Sequence, residues 1–276
     1  MIPAAFEYER VDTVDAALAA LAAHGDEAKL LAGGHSLLPL LKLRLAEPGV
    51  LVDIGPVRAL SYIRDDGDAI SIGSLTRHRD LETSDTLAAH APLLRAAAHQ
   101  VGDPQVRHRG TIGGSVAHGD PASDLPATLL ALGATMLVRG PAGERRVDAD
   151  DFFVGFLETA LSPDELLVEI SVPKATGAGW SFQKFNRRAQ DWAIVGVACQ
   201  ATPTGARIGL VNMGSTPLRA RGTEHAVGSG ATIPDAAAVA HEGTAPTSDL
   251  GGSAEYREHL CRVLVRRALT QATAPA

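Results

Sequence analysis

The sequence predicts an α+β protein, with a larger region over residues 1–174 and a smaller domain over 175–276. Three observations predict it. Residues 6–54 alternate short apolar strands with helical stretches, an order that fills one small α/β lobe. Residues 63–172 carry two hairpin signatures and a cluster of helices. After Lys174–Gly179, read KATGAG, three strand patterns follow in antiparallel succession, and helices close the chain. The two lobes of the first region divide near residue 55.

Each element has a local reason. Phe6 to Arg10 reads as an extended opening. Asp12 or Thr13 caps a helix from Thr13 to Ala23, and Gly25 stops it. Lys29 to Ala32 is a strand running into Gly33–Gly34. Leu37 to Leu45 is helical, and Val50 to Ile54 is a buried strand closed by Gly55–Pro56. Asp65–Asp66–Gly67–Asp68 turns the first hairpin, and Gly140–Pro141–Ala142–Gly143 the second. Between them lie a helix from Arg79 and another from Ala91 to Val101, with Gly102 to Gly110 ending it. Ser123 or Asp124 caps a buried helix that Gly133 stops. Asp150 to Phe153 is a turn, and Glu165 to Val172 a strand stopped by Pro173. In the smaller domain the strands are Trp180–Asn186, Ala193–Thr202 and Ala206–Met213. Helices follow at Thr223–Val227, Ile233–Glu242 and from Ser253. In the last, Tyr256, Leu260, Val263, Leu264 and Ala268 share a face.

Composition excludes several classes. Apolar content of 45% with ordinary charge describes a folded globular chain, and a net charge of −7 argues against nucleic acid or an anionic membrane as partner. Any bound phosphate must then rest on backbone amides. The 2 cysteines, Cys199 and Cys261, cannot ligate an iron–sulfur cluster by themselves and read as reduced thiols of a cytoplasmic protein. The 10 histidines show no metal-ligand spacing, so no metal site is expected. The N-terminus has no signal-type apolar run, and the longest uncharged run is too short to span a bilayer.

Three motifs carry chemistry. The first is a pair of glycine turns, Ala32–Gly33–Gly34–His35–Ser36 and Thr111–Ile112–Gly113–Gly114–Ser115. Glycine admits positive φ and close backbone approach, and successive amides in such a turn form a nest for an anion. A following serine adds a hydroxyl. The same residues would also suit two ordinary turns. Second, Ser123–Asp124 ends DPASD, where a carboxylate suits a ribose or ribityl hydroxyl but serves a helix cap equally well. Third, KFNRRAQDW sets Lys184 and Trp192 near one strand end. A cation and an aromatic there would suit a flavin ring, or simply form a basic hairpin tip. No GxGxxG follows a strand, and no Walker A loop exists.

Taken together, AGGHSLLPLLKLRL, TIGGSVAHGDPASDLPA, FFVGFLETALSPDE, the Lys184–Trp192 cluster and DLGGSAEYREHL resemble the FAD-binding medium subunits of molybdenum hydroxylases. The resemblance is to the carbon monoxide dehydrogenase medium-subunit type, in the xanthine dehydrogenase superfamily, and runs along nearly the whole chain. It implies a two-lobed FAD-binding domain of the vanillyl-alcohol-oxidase (PCMH) type, then a domain with a three-stranded antiparallel sheet and helices. It implies a diphosphate seated on Ala32–Ser36 and Thr111–Ser115. Ser123 and Asp124 would meet FAD hydroxyls, Leu161 the flavin edge, and Lys184 and Trp192 the ring. Ser115 stands where asparagine is frequent in the family, and Trp192 where its carbon monoxide dehydrogenase branch has a tyrosine.

The function implied is electron transfer. Molybdopterin would reside in a large partner and 2Fe-2S clusters in a small one, in a dimer of heterotrimers. FAD here would pass electrons to an external acceptor, through which the complex could meet a membrane peripherally. This chain would contribute no catalytic acid or base. Two other readings are a stand-alone flavin oxidase with its own substrate pocket, and a diphosphate-binding module that is no enzyme. A yellow, flavin-loaded protein separates the third from the others, and co-purifying partners separate the first two.

Overall fold

The computed structural model describes residues 2–274. Met1, Pro275 and Ala276, at the outer limits of the two predicted domains, lie outside the described residues. The first lobe runs β1 (Glu7–Arg10), α1 (Val14–His24), β2 (Ala28–Leu31), α2 (Leu37–Leu43) and β3 (Val50–Asp53). Its sheet is parallel, in the order β1-β3-β2, with Glu7 and Ala28 both in register with Val50. The Thr13 hydroxyl accepts the Ala16 amide to start α1, and Gly25 at φ 52° ends it. Ala17 and Ala20 of α1 belong to one core with Val50 and Val52, so small residues let helix and sheet approach closely.

The second lobe opens with the hairpin β4 (Ile63–Asp65) and β5 (Ala69–Gly73). Six helices follow: α3 (His78–Thr83), α4 (Asp85–His90), α5 (Pro92–His99), α6 (Pro104–Arg109), α7 (Ile112–His118) and α8 (Asp124–Leu132). Then come β6 (Thr135–Gly140), β7 (Gly143–Asp148), α9 (Ala149–Phe152), β8 (Phe153–Gly155), β9 (Glu158–Thr159) and β10 (Leu166–Pro173). The main sheet is antiparallel, β4-β5-β10-β6-β7, and β8 pairs only with β9. Ile70, Ile72, Met136, Val138 and Ile170 form its core against Leu125 and Leu129 of α8.

The smaller domain holds β11 (Trp180–Phe185), β12 (Val195–Thr202), β13 (Gly205–Val211), β14 (Leu218–Arg219), α10 (Arg221–Gly228), α11 (Ile233–Ala238) and α12 (Ala254–Ala272). Its sheet gains a fourth strand over the three expected, because β14 pairs with β13 through only two residues, too few to show alternation. Every residue of α8 is buried, and apart from Asp124 and Thr128 its sequence is apolar all round. One flank packs in the second lobe. The other meets β13 at Gly209, where a Cβ would collide with the Ala127 backbone.

Three further expectations are corrected. Gly102–Arg109 is not only a helix ending: Asp103 accepts the Val106 amide and Pro104 opens a new helix, α6. Asp150–Phe153 belongs mostly to the short helix α9. On α12 the buried stripe is rotated. Arg257, Cys261 and Val265 join Leu260, Leu264 and Ala268, while Tyr256 is exposed. Arg257 is buried because its guanidinium donates to Asp249 and to the Ile194 carbonyl, a pairing the apolar pattern does not reveal.

Candidate functional site

A cleft of about 540 Å³ lies between the first lobe, α7 and the β8–β9 hairpin with the loop after it. Its size is that of a small-molecule or cofactor pocket. One wall is Ala32–Ser36. A second is Thr111 with Gly113–Ser115. The third includes Leu157–Thr159 and Leu161. The fold thus brings both glycine motifs and Leu161 to one cavity.

The first motif is an open turn. A Cβ on Gly33 would lie 2.5 Å from the Arg109 carbonyl oxygen, so glycine here lets the turn rest on the segment entering α7. Gly34 has φ 78°, the left-handed region that favours glycine. Among the described residues, the amides of Gly33, Gly34, His35 and Ser36 donate to no protein acceptor. Four successive unpartnered amides on a cleft wall are the donors that an anion nest requires.

The second motif is not the glycine turn the sequence suggested. Its glycines open a helix. Thr111 is the N-cap of α7, and its hydroxyl accepts the Gly114 amide at 3.2 Å. The Ile112 amide donates to the Thr76 carbonyl at 3.0 Å, Gly113 to Ser74 at 2.8 Å, and Ser115 to Thr111 at 3.1 Å. These amides are satisfied within the protein. Ile112 is fully buried in the second-lobe core. A Cβ on Gly113 would overlap Ser74, backbone included. At Gly114 it would meet a single protein atom, the Thr111 hydroxyl, 2.8 Å away. Gly113 is therefore required by packing, whereas Gly114 leaves its space to the cleft.

Behind this wall sits His78, 2% exposed, which sequence reasoning missed. Its Nε2 is 3.3 Å from the Ser115 hydroxyl. Burial, with His35 and the cations of Arg77 and Arg107 nearby, pushes its pKa down to about 4. The only sequence signal was the apolar-to-glycine turn at Gly73, five residues upstream.

Ser123, Asp124, Lys184 and Trp192 do not line this cleft. Ser123 is the N-cap residue of α8, but its side chain makes no capping bond. Asp124 and Lys184 form a buried ion pair of 2.6 Å between α8 and β11, and Lys184 also donates to the Gln100 carbonyl at 2.9 Å. Burial outweighs the lysine's attraction and raises the Asp124 carboxyl to about 6, and its Oδ1 has no partner. Trp192 is 70% exposed, unusual for a large aromatic without a surface role. Leu161 does line the cleft, and its amide and carbonyl make no hydrogen bond among the described residues.

Residues 4–175 match the family described as the FAD binding domain in molybdopterin dehydrogenase. The chain belongs to that family. Residues 180–272 match the CO dehydrogenase flavoprotein C-terminal domain. The chain is thus a flavoprotein of oxidoreductase type with FAD as its cofactor. It is 43% identical to the carbon monoxide dehydrogenase medium chain of Hydrogenophaga pseudoflava, over 99% of each chain. It is 41% identical to the alpha subunit of the 6-hydroxypseudooxynicotine dehydrogenase complex of Paenarthrobacter nicotinovorans, over 99% of this chain and 96% of that one. The solved carbon monoxide dehydrogenase of H. pseudoflava superposes with a TM-score of 0.96, covering 99% of this chain and 98% of that one. Among the described residues no group of three or more His, Cys, Asp or Glu is placed to hold a metal ion, and no helix is long and apolar enough to cross a membrane.

Proposed function

We propose that this chain is the electron-transferring FAD subunit of a molybdenum hydroxylase complex, with its FAD diphosphate seated in the cleft described above. The observation that carries the reading is the run of free amides from Gly33 to Ser36 on the cleft wall. A diphosphate is the part of FAD that such a nest fits, and no lysine is needed. Thr111–Ser115 supplies the facing wall: Gly114 leaves room for close approach and Ser115 adds a hydroxyl. Bound FAD would take electrons from 2Fe-2S clusters of a small subunit, themselves fed by molybdopterin in a large one, and deliver them to an external acceptor.

The chain's own groups bind and orient. The unpartnered backbone of Leu161 is placed to meet the flavin edge. Ser123 and Asp124, next to the cleft rather than in its wall, would face FAD hydroxyls, with the free Oδ1 of Asp124 as acceptor and Lys184 holding the opposite carboxylate oxygen in place. Through that ion pair Lys184 would act beside the ring indirectly. Exposed Trp192 would cover the ring or its entrance. No acid–base step on the substrate is assigned to this chain.

The two relatives, at 43% and 41% identity, are named for different substrates, which supports placing substrate choice in the large subunit. The assembly proposed is a dimer of heterotrimers in the cytoplasm, meeting a membrane only peripherally through its acceptor. The domain division proposed is 1–174 and 175–276. Expression with its partners should give a yellow complex that releases FAD on denaturation. Turnover of a small substrate by this chain alone, without partners, would instead favour a stand-alone oxidase.

A further inference from the structure

The geometry points to His78 as a positioning residue that turns the Ser115 hydroxyl proton into the cleft. The inference rests on the diphosphate reading above and assigns a role to a residue that none of the motifs contains. His78 Nε2 lies 3.3 Å from Ser115 Oγ, and Nδ1 is buried without any partner. A neutral imidazole carries its proton on one nitrogen only. On Nδ1 the proton would be a buried donor facing no acceptor, the rarer and costlier arrangement. The cations of Arg77 and Arg107 near the ring also disfavour a second proton, and the pKa pushed down to about 4 agrees. The proton therefore resides on Nε2 and donates to Ser115 Oγ.

That donation fixes the serine. Its oxygen accepts from His78, so its own O–H is free to point elsewhere. Ser115 lines the cleft, and the acceptor on that side would be a phosphate oxygen of the bound cofactor. The chain His78 Nε2–H to Ser115 Oγ–H to phosphate is then polarised in one direction, and each link strengthens the next. Gly110 gives the ring its place. The His78 amide donates to the Gly110 carbonyl, and a Cβ on Gly110 would lie 2.5 Å from the ring, so glycine there makes room for the imidazole.

The test uses the flavin-loaded complex and a double-mutant cycle on FAD dissociation. Ser115→Ala and His78→Leu should each weaken FAD retention about tenfold, the value of one hydrogen bond to a charged group. The double variant should be no weaker than either single one, because both remove the same link. His78→Gln, which keeps an N–H donor, should restore retention to within about threefold of the parent. Riboflavin, which has no diphosphate, should bind equally to all. Should His78→Leu fail to fold, nitrogen-15 spectra of histidine-labelled parent protein decide the tautomer directly. A proton on Nδ1, additive losses in the cycle, or an unaltered Ser115→Ala would overturn the inference. If Ser115→Ala is silent while Gly34→Val and Gly114→Val lose FAD, only the relay fails. If all three retain FAD, the diphosphate reading fails with it.

Discussion

Gly33–Gly34 and Gly113–Gly114 look alike in the sequence and do opposite things in the fold. The first pair leaves its amides unpartnered on a cleft wall. The second spends its amides on Thr111 and on the Ser74 carbonyl, and packs one glycine against Ser74. Paired glycines thus mark a place where backbone comes close to something, and only the hydrogen-bond accounting says whether that something is a ligand or the protein itself.

The largest difference between the pairs should appear in stability at Gly113. Gly113→Ala forces a methyl into Ser74 and should cost about 3 kcal/mol, read as a lowered urea midpoint. A midpoint within error of the parent would show that the second lobe yields there, and that the packing role is misassigned.

His78, which braces the second motif, should give the next largest effect, through pH. Its folded pKa is near 4 and its ordinary value 6.5. Between these the unfolded chain binds the extra proton, so stability is full above pH 6.5 and falls as the pH drops toward 4. The loss amounts to roughly 3 kcal/mol. His78→Gln should flatten that part of the acid slope relative to the parent. Parallel slopes for the two proteins would mean that His78 titrates normally.

Gly114→Val should cost only about 1 kcal/mol, through strain on the Thr111 cap, yet abolish FAD retention. Its stability and its flavin content therefore move apart, the reverse of Gly113→Ala in cause. Retained FAD would remove α7 from the pocket. Smallest of all, Trp192→Ala should change stability by less than about 0.5 kcal/mol, as an exposed site does. FAD content should stay constant while flavin reoxidation by the acceptor changes rate. An unaltered rate would leave Trp192 without a role at the ring.

The same contrast explains what the sequence made legible. Apolar runs, caps and glycine stops located most of the longer elements, because each is decided within a few residues. Gly133 at φ 67° and Thr13 at its cap are examples. Both glycine motifs stood out by residue type, and the family resemblance pointed to Leu161, which lines the same cleft. What stayed hidden depends on distant partners. The Asp124–Lys184 pair joins groups 60 positions apart. Arg257 is buried by Asp249 and the Ile194 carbonyl. The two-residue β14 exists only because β13 offers an edge. Helix α7 begins at Thr111 because Ser74 and Thr76 receive its first amides, and glycines at its start gave no helical signal.

The central claim is that the amides of Gly33–Ser36, and not those of Ile112–Gly114, hold the diphosphate. Amide hydrogen exchange on flavin-depleted and flavin-loaded complex tests it most directly. Loading should slow exchange at Gly33–Ser36 and leave Ile112–Gly114 unchanged, because the latter are already bonded within the protein. Slowing confined to Ile112–Gly114, with Gly33–Ser36 exchanging freely in both states, would contradict the account.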